Sequence, residues 1–105
     1  MTAQPRPDYE SLDDAALTRL IAARDAEAVR LVTTRNNQRL FRAAWGVLKD
    51  RSEAEDAVQS AYLRAFQAIG GFEGRSALST WLTRIAINEA LRRVRAAKRR
   101  RAQLD

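Results

Sequence analysis

Cysteine and histidine are both missing from this 105-residue chain. Their absence removes disulfide staples, a zinc ribbon and imidazole acid–base chemistry together. It also fits a reducing compartment. Proline occurs only at positions 5 and 7, and glycine only at 46, 70, 71 and 74. No apolar run approaches the roughly 20 residues of a membrane-spanning helix. The opening MTAQPRPDYE carries no apolar segment of the kind a signal peptide needs. Acidic residues are scarce toward the end of the chain. Residues 1–60 hold nine Lys/Arg against ten Asp/Glu, a net −1, while residues 61–105 hold ten against three, a net +7. Such asymmetry points to a polyanionic partner, either nucleic acid or an anionic surface.

What remains is helix-forming. A long stretch free of breakers and rich in Ala, Leu and Arg argues for an all-α fold, one domain able to bury roughly 60–65% of its unfolded surface. Residues 1–10 read as a disordered lead-in. The first helix is expected from Ser11, where Ser11-x-x-Asp14 resembles a capping box, with Leu17, Leu20 and Ile21 as its apolar face. Asp25 is placed to cap a second, longer helix. Along it Val29, Val32, Leu40, Phe41, Ala44, Trp45 and Leu48 recur at helical spacing, and the Asn36-Asn37 pair is a candidate bend or break. Ser52-x-x-Glu55 reads as the cap of a third helix. Its face runs through Ala54, Ala57, Val58, Ala61, Tyr62, Ala65, Phe66 and Ile69, small and large in alternation as a close helix seam requires. Gly70-Gly71 stands where a left-handed C-cap would end it. The loop GGFEGRSAL then leads to a last helix near Ser79. Four helices around one small core is the economical arrangement.

The last helix is unusual by angle. At about 100° per residue from Leu78, Leu82 and Ile85 cluster with Leu78, while Ile87, Ala90, Leu91 and Val94 lie on nearly the opposite side. Trp81, Arg84, Asn88, Arg92, Arg95 and Arg99 all fall within about 80° of one another. Guanidinium groups bind phosphates through charge and two-pronged geometry, an amide reads a base edge, and an aromatic stacks on an unpaired base. Beside Leu78 and Leu82, Trp81 reads first as a core residue rather than a stacking platform. The run RRVRAAKRRR has seven cations and no acid, whereas a merely solvated face mixes signs. No nucleophile–base arrangement, Gly-rich phosphate loop or metal-ligand cluster is present, so we expect neither an enzyme nor a metal or other cofactor. Glu53, Glu55 and Asp56 read as helix-start acids.

The segment DAVQSAYLRAFQAIGGFEGRSALSTWLTRIAINEALRRVRAAKRR, Asp56–Arg100, strongly resembles region 2 of the bacterial extracytoplasmic-function sigma factors. The pieces that carry the resemblance are Asp56-x-x-Gln59, Phe72-x-Gly74, Thr80-Trp81-Leu82, Arg84-Ile85-Ala86 and Asn88. The resemblance implies a helical bundle over residues 11–101 with a base-capture loop before its last, basic helix. It also implies that residues 102–105 begin a linker, and that the family's second domain, which reads the −35 element, is absent, as expected of a fragment or, alternatively, of a natural one-domain protein.

Its implied function is recognition and melting of the promoter −10 element in the bacterial cytoplasm. Asp56, Gln59, Leu63 and Arg64 would dock on the clamp helices of the largest catalytic subunit of RNA polymerase. Here the chain has Ser60 where the family usually has Glu. Phe72, Arg75 and Ser76 in the loop would capture a flipped base of the single-stranded non-template DNA, though Phe72 could equally plug the core. Asn88 would line that pocket or a neighbouring base, and Arg84, Arg92, Arg95 and Arg99 would follow the backbone. An anti-sigma factor is a further implied partner, and a membrane is not. The alternative is a sigma-mimic adaptor that holds an anti-sigma factor without touching DNA.

Overall fold

The computed structural model describes residues 8–104. Residues 1–7, most of the expected lead-in, and Asp105 lie outside the described residues. The fold is all-α: α1 Asp14–Ala22, α2 Ala26–Leu48, α3 Arg51–Gln67 and α4 Leu78–Leu104, with 3₁₀ turns at Tyr9–Ser11 and Ile69–Gly71. Among the described residues no helix is long and apolar enough to cross a membrane.

Three aspartates start the first three helices. Asp13, Asp25 and Asp50 each accept a hydrogen bond from the backbone N–H three residues on, at 2.8, 3.0 and 2.9 Å. An oxygen at this position satisfies one of the orphan N–H groups of the first turn. Ser11 and Ser52 were expected in these roles and do not fill them. Ser11 instead belongs to the first 3₁₀ turn, where its hydroxyl donates to the Asp8 carbonyl. That turn is tied down, because Tyr9 Oη donates to the Asp25 carboxylate at 3.0 Å and Arg35 donates to the Glu10 carbonyl at 3.1 Å. The structured part of the chain therefore begins before residue 11.

The helix ends also differ from expectation. α3 stops at Gln67 and passes into the Ile69–Gly71 turn without a left-handed residue, so Gly70 and Gly71 are not its left-handed cap. The left-handed positions after α1 and α2 are instead Arg24 (φ 63°) and Lys49 (φ 56°). Lys49 N–H closes onto the Trp45 carbonyl at 2.8 Å. α2 runs unbroken through Asn36 and Asn37, and the buried Asn36 amide donates to the Val32 carbonyl at 2.8 Å. α4 continues through Leu104, so residues 102–104 are helical.

The core lies where α4 packs on α2 and α3. Alanines form much of the seam: Ala44, Ala54, Ala57, Ala65, Ala86 and Ala90 are completely buried. Small side chains at these contacts let the helix backbones approach closely. On α4 the buried side is Leu78, Leu82, Ala86, Glu89 and Ala90. The apolar stripe thus rotates gradually through the alanines: of the first cluster expected from the sequence Leu78 and Leu82 are buried and Ile85 only partly so, and of the opposed cluster Ala90 is buried while Ile87, Leu91 and Val94 are only partly buried. Trp45 departs most from its expected burial: it is 45% exposed, with Lys49 Nζ 4.6 Å from its ring centroid.

Tyr62 is buried in the α2–α3 seam, stacked on Phe66 at 5.7 Å and donating to the Thr33 carbonyl at 3.2 Å. Burial disfavours the phenolate and pushes its pKa up to about 12. A group whose folded pKa is raised contributes stability that is complete below the unfolded value, about 10. That contribution is lost as pH rises through the folded value, about 12. We therefore expect the thermal midpoint to fall between pH 10 and 12, and Tyr62→Phe to fall less across the same interval. Melts of both proteins at pH 9, 10, 11 and 12 check this; equal slopes would contradict it.

Candidate nucleic-acid interface

The basic stripe exists as a surface. Arg84, Asn88, Arg92, Arg95 and Arg99 are all exposed along one side of α4. The helix keeps them there because the opposite side is anchored by Leu78, Leu82, Ala86 and Ala90. Trp81, at the N-terminal end, is partly buried and packed against the core. Its ring meets Phe72 from the loop, centroids 5.2 Å apart and planes tilted by 51°. This geometry is favourable for two aromatic quadrupoles. Trp81 and Phe72 therefore brace the loop against the helix, and neither ring is free on both faces.

A second tie fixes the same corner. The N–H of Leu78, first residue of α4, donates to Asp14 Oδ2 at 2.8 Å. An acid from α1 thus caps the last helix across the whole chain, at an end favourable for negative charge. Beside it is an open cleft of about 340 Å³ bordered by Asp14, Thr18, Phe72, Glu73, Gly74 and Ser76. Gly74 supplies a left-handed turn there, φ 74°, which a residue without Cβ adopts freely. Ser76 is partly buried and donates to the Ala77 carbonyl at 3.2 Å. Arg75 is exposed and pairs with Glu73 at 3.0 Å, a surface contact of little energetic weight that leaves it available.

The four residues named for docking do not share one face. Asp56, Gln59 and Leu63 form an exposed ridge on α3, with Leu63 65% exposed. Arg64 follows Leu63 by one position, about 100° around the helix, and leans toward α4. Its Nε lies 2.8 Å from Glu89 Oε2. Gln59 borders a separate cleft of about 520 Å³ between α2 and α3, together with Asn37, Gln38, Phe41 and Val58.

Glu89 and Arg93 are the side chains that sequence reasoning passed over. Glu89 is 10% exposed and faces two guanidiniums, Arg64 at 2.8 Å and Arg93 at 3.9 Å. Arg93 also reaches Glu53 at 3.6 Å and donates to Ser60 Oγ at 3.1 Å. Ser60, where the family's Glu would stand, is thus occupied inside the fold. The one available signal was the Glu89–Arg93 spacing of four, a favourable pair on a helix. Its burial was not legible, because it depends on α3 lying alongside.

The Sigma-70 region 2 family model matches residues 32–100. The chain belongs to the Sigma-70 region 2 family. Region 2 here is that of an extracytoplasmic-function sigma factor. The chain is 34% identical over 92 residues to the RNA polymerase sigma-H factor of Pseudomonas aeruginosa, covering 88% of this chain and 48% of that one. It is 31% identical over 96 residues to the extracytoplasmic-function sigma-E factor of Escherichia coli K12, covering 91% and 50%. It thus spans about half the length of the curated relatives it matches. Among solved structures, an engineered region 2 of sigmaE, determined by NMR in complex with GTAAAA, superposes with a TM-score of 0.76 at 30% identity over 87% of this chain and 95% of that one.

Proposed function

We propose that this region 2 domain recognises the promoter −10 element for RNA polymerase. The observation that carries the reading is the exposed Arg84–Asn88–Arg92–Arg95–Arg99 stripe, which rises from a loop braced by Phe72 and Trp81. The likeness to a region 2 in complex with GTAAAA supports it. In this reading the arginines hold the backbone of the melted non-template strand, while Asn88, Phe72, Arg75 and Ser76 take the captured base. Extracting a base costs a few kcal/mol of stacking, which a pocket with an aromatic wall and polar donors offsets. Asp56, Gln59 and Leu63 form the exposed ridge offered to the clamp helices of RNA polymerase.

Enrichment of oligonucleotides from a randomised single-stranded pool, by the domain alone and by its complex with core polymerase, tests this. One short motif is expected from wild type, and Asn88→Ala should blur one position of it while leaving the salt dependence nearly unchanged. Asp56→Ala with Gln59→Ala should weaken core binding with helicity intact. Failure of both the domain and its polymerase complex to enrich any motif would favour the adaptor reading, in which these helices hold an anti-sigma factor.

A further inference from the structure

A cleft between α3 and α4 is densely cationic. Arg64 from α3 and Arg92, Arg93, Arg95 and Arg99 from α4 border a space of about 510 Å³, with Glu89 as the acid among them. Five cations against one acid leave the cleft strongly positive, and a phosphate is the group that planar guanidiniums match best.

The bonding inside the cleft is uneven. Arg93 is spent on the fold, held among Glu89, Glu53 and Ser60. Arg64 is spent only at Nε, which lies 2.8 Å from Glu89 Oε2. Among the described residues no hydrogen bond engages its two terminal nitrogens, and its side chain is 49% exposed. The Glu89 contact is close but poorly aligned as a hydrogen bond, since Oε2 is buried without a hydrogen-bond donor, and the Nε of Arg93 is likewise buried and unpartnered. The carboxylate therefore fixes the guanidinium beside α4 chiefly by charge and leaves its terminal fork for another anion. That fork lies beside Arg92, Arg95 and Arg99, which the proposed function already places on the DNA backbone.

We propose that this cleft is a phosphate-binding site for the promoter strand, and that Arg64 is a DNA-backbone contact rather than part of the polymerase-docking ridge. The inference rests on the DNA-binding reading above. It extends the basic surface from one helix to two, so that the strand is gripped between α3 and α4.

The test is fluorescence anisotropy of the domain on the enriched single-stranded oligonucleotide across a salt series. Arg64→Ala should weaken binding roughly threefold to tenfold and reduce the salt slope by about 0.7, the value for one phosphate on a single strand. Arg64→Lys should restore the slope and only part of the affinity, because an ammonium lacks the two-pronged fork. Arg30→Ala removes the same charge from an Arg on α2 paired with Glu27, and should leave the slope near wild type. Thermal melts show whether each variant is folded. If wild type binds and Arg64→Ala binds equally well with an unchanged slope, this inference fails and the −10 reading stands. If wild type binds the oligonucleotide neither alone nor in its complex with core polymerase, both fail. Loss of core-polymerase binding by Arg64→Ala, with oligonucleotide binding intact, would also overturn the inference and return Arg64 to the docking ridge.

Discussion

Leu82→Ala is expected to lower the unfolding free energy by about 2–5 kcal/mol. Leu82 is 1% exposed and among the largest fully buried side chains. It sits on the first turns of α4, one residue after Trp81, in the seam with α2 and α3. The cost has two parts: the lost transfer of the side chain out of water, and the cavity that neighbours cannot close. A small domain has about 5–15 kcal/mol in total, so this one change consumes a large share. Leu63→Ala is the matched control, because the same atoms are removed from a side chain that is 65% exposed. Its expected effect is within about 0.5 kcal/mol. Urea unfolding of the three proteins checks the contrast. Equal losses for both variants would mean that α4 is not seated as described.

The second large effect concerns binding. Arg92→Ala together with Arg95→Ala should weaken oligonucleotide affinity roughly tenfold to a hundredfold at low salt and reduce the salt slope by about 1.4. Both guanidiniums are exposed, and among the described residues no acid is paired with either. They are therefore available to displace counterions from phosphates at small conformational cost to the fold. The loss should be nearly uniform across sequences, unlike that of Asn88→Ala. A change in sequence preference without a change in salt slope would show that these arginines read bases.

Much of this was legible in the sequence, for identifiable reasons. The order of four helices followed from apolar periodicity, and α3 in particular follows its spacing closely. Asp25 was recognisable as a cap because no competing Ser or Thr stands beside it. At Ser11/Asp13 and Asp50/Ser52 two good capping residues lie within three positions. Local pattern could not choose between them, since the choice depends on which register buries Leu17 and Ala54. A left-handed helix cap is expected at Gly70-Gly71, but the left-handed residues that follow helices are Arg24 and Lys49. Along α4, Ala86 belongs to neither apolar cluster read from the sequence yet is fully buried, while Ile87 and Leu91 are only partly buried, because a small side chain fits the close approach of α2 and α3.

The candidate site divides along the same line. The stripe from Arg84 to Arg99 depends only on helix geometry, and it was visible from spacing. The bracing of Phe72 by Trp81, the Asp14 cap on Leu78 and the Arg64–Glu89 pair all join residues distant in sequence. No periodicity reveals such contacts. Arg64 was grouped with Leu63 by adjacency, whereas one step along a helix turns a side chain by about 100° and toward a different partner.

The central claim is that α4 and its loop read one strand of melted promoter DNA. The most direct measurement is anisotropy binding of the domain, at two salt concentrations, to the enriched motif as a single strand, to its complement and to the duplex. The account predicts tightest binding to the single-stranded motif, with the preference over the complement persisting at the higher salt. Equal affinity for all three forms, lost in parallel as salt rises, would contradict it and leave only a basic surface.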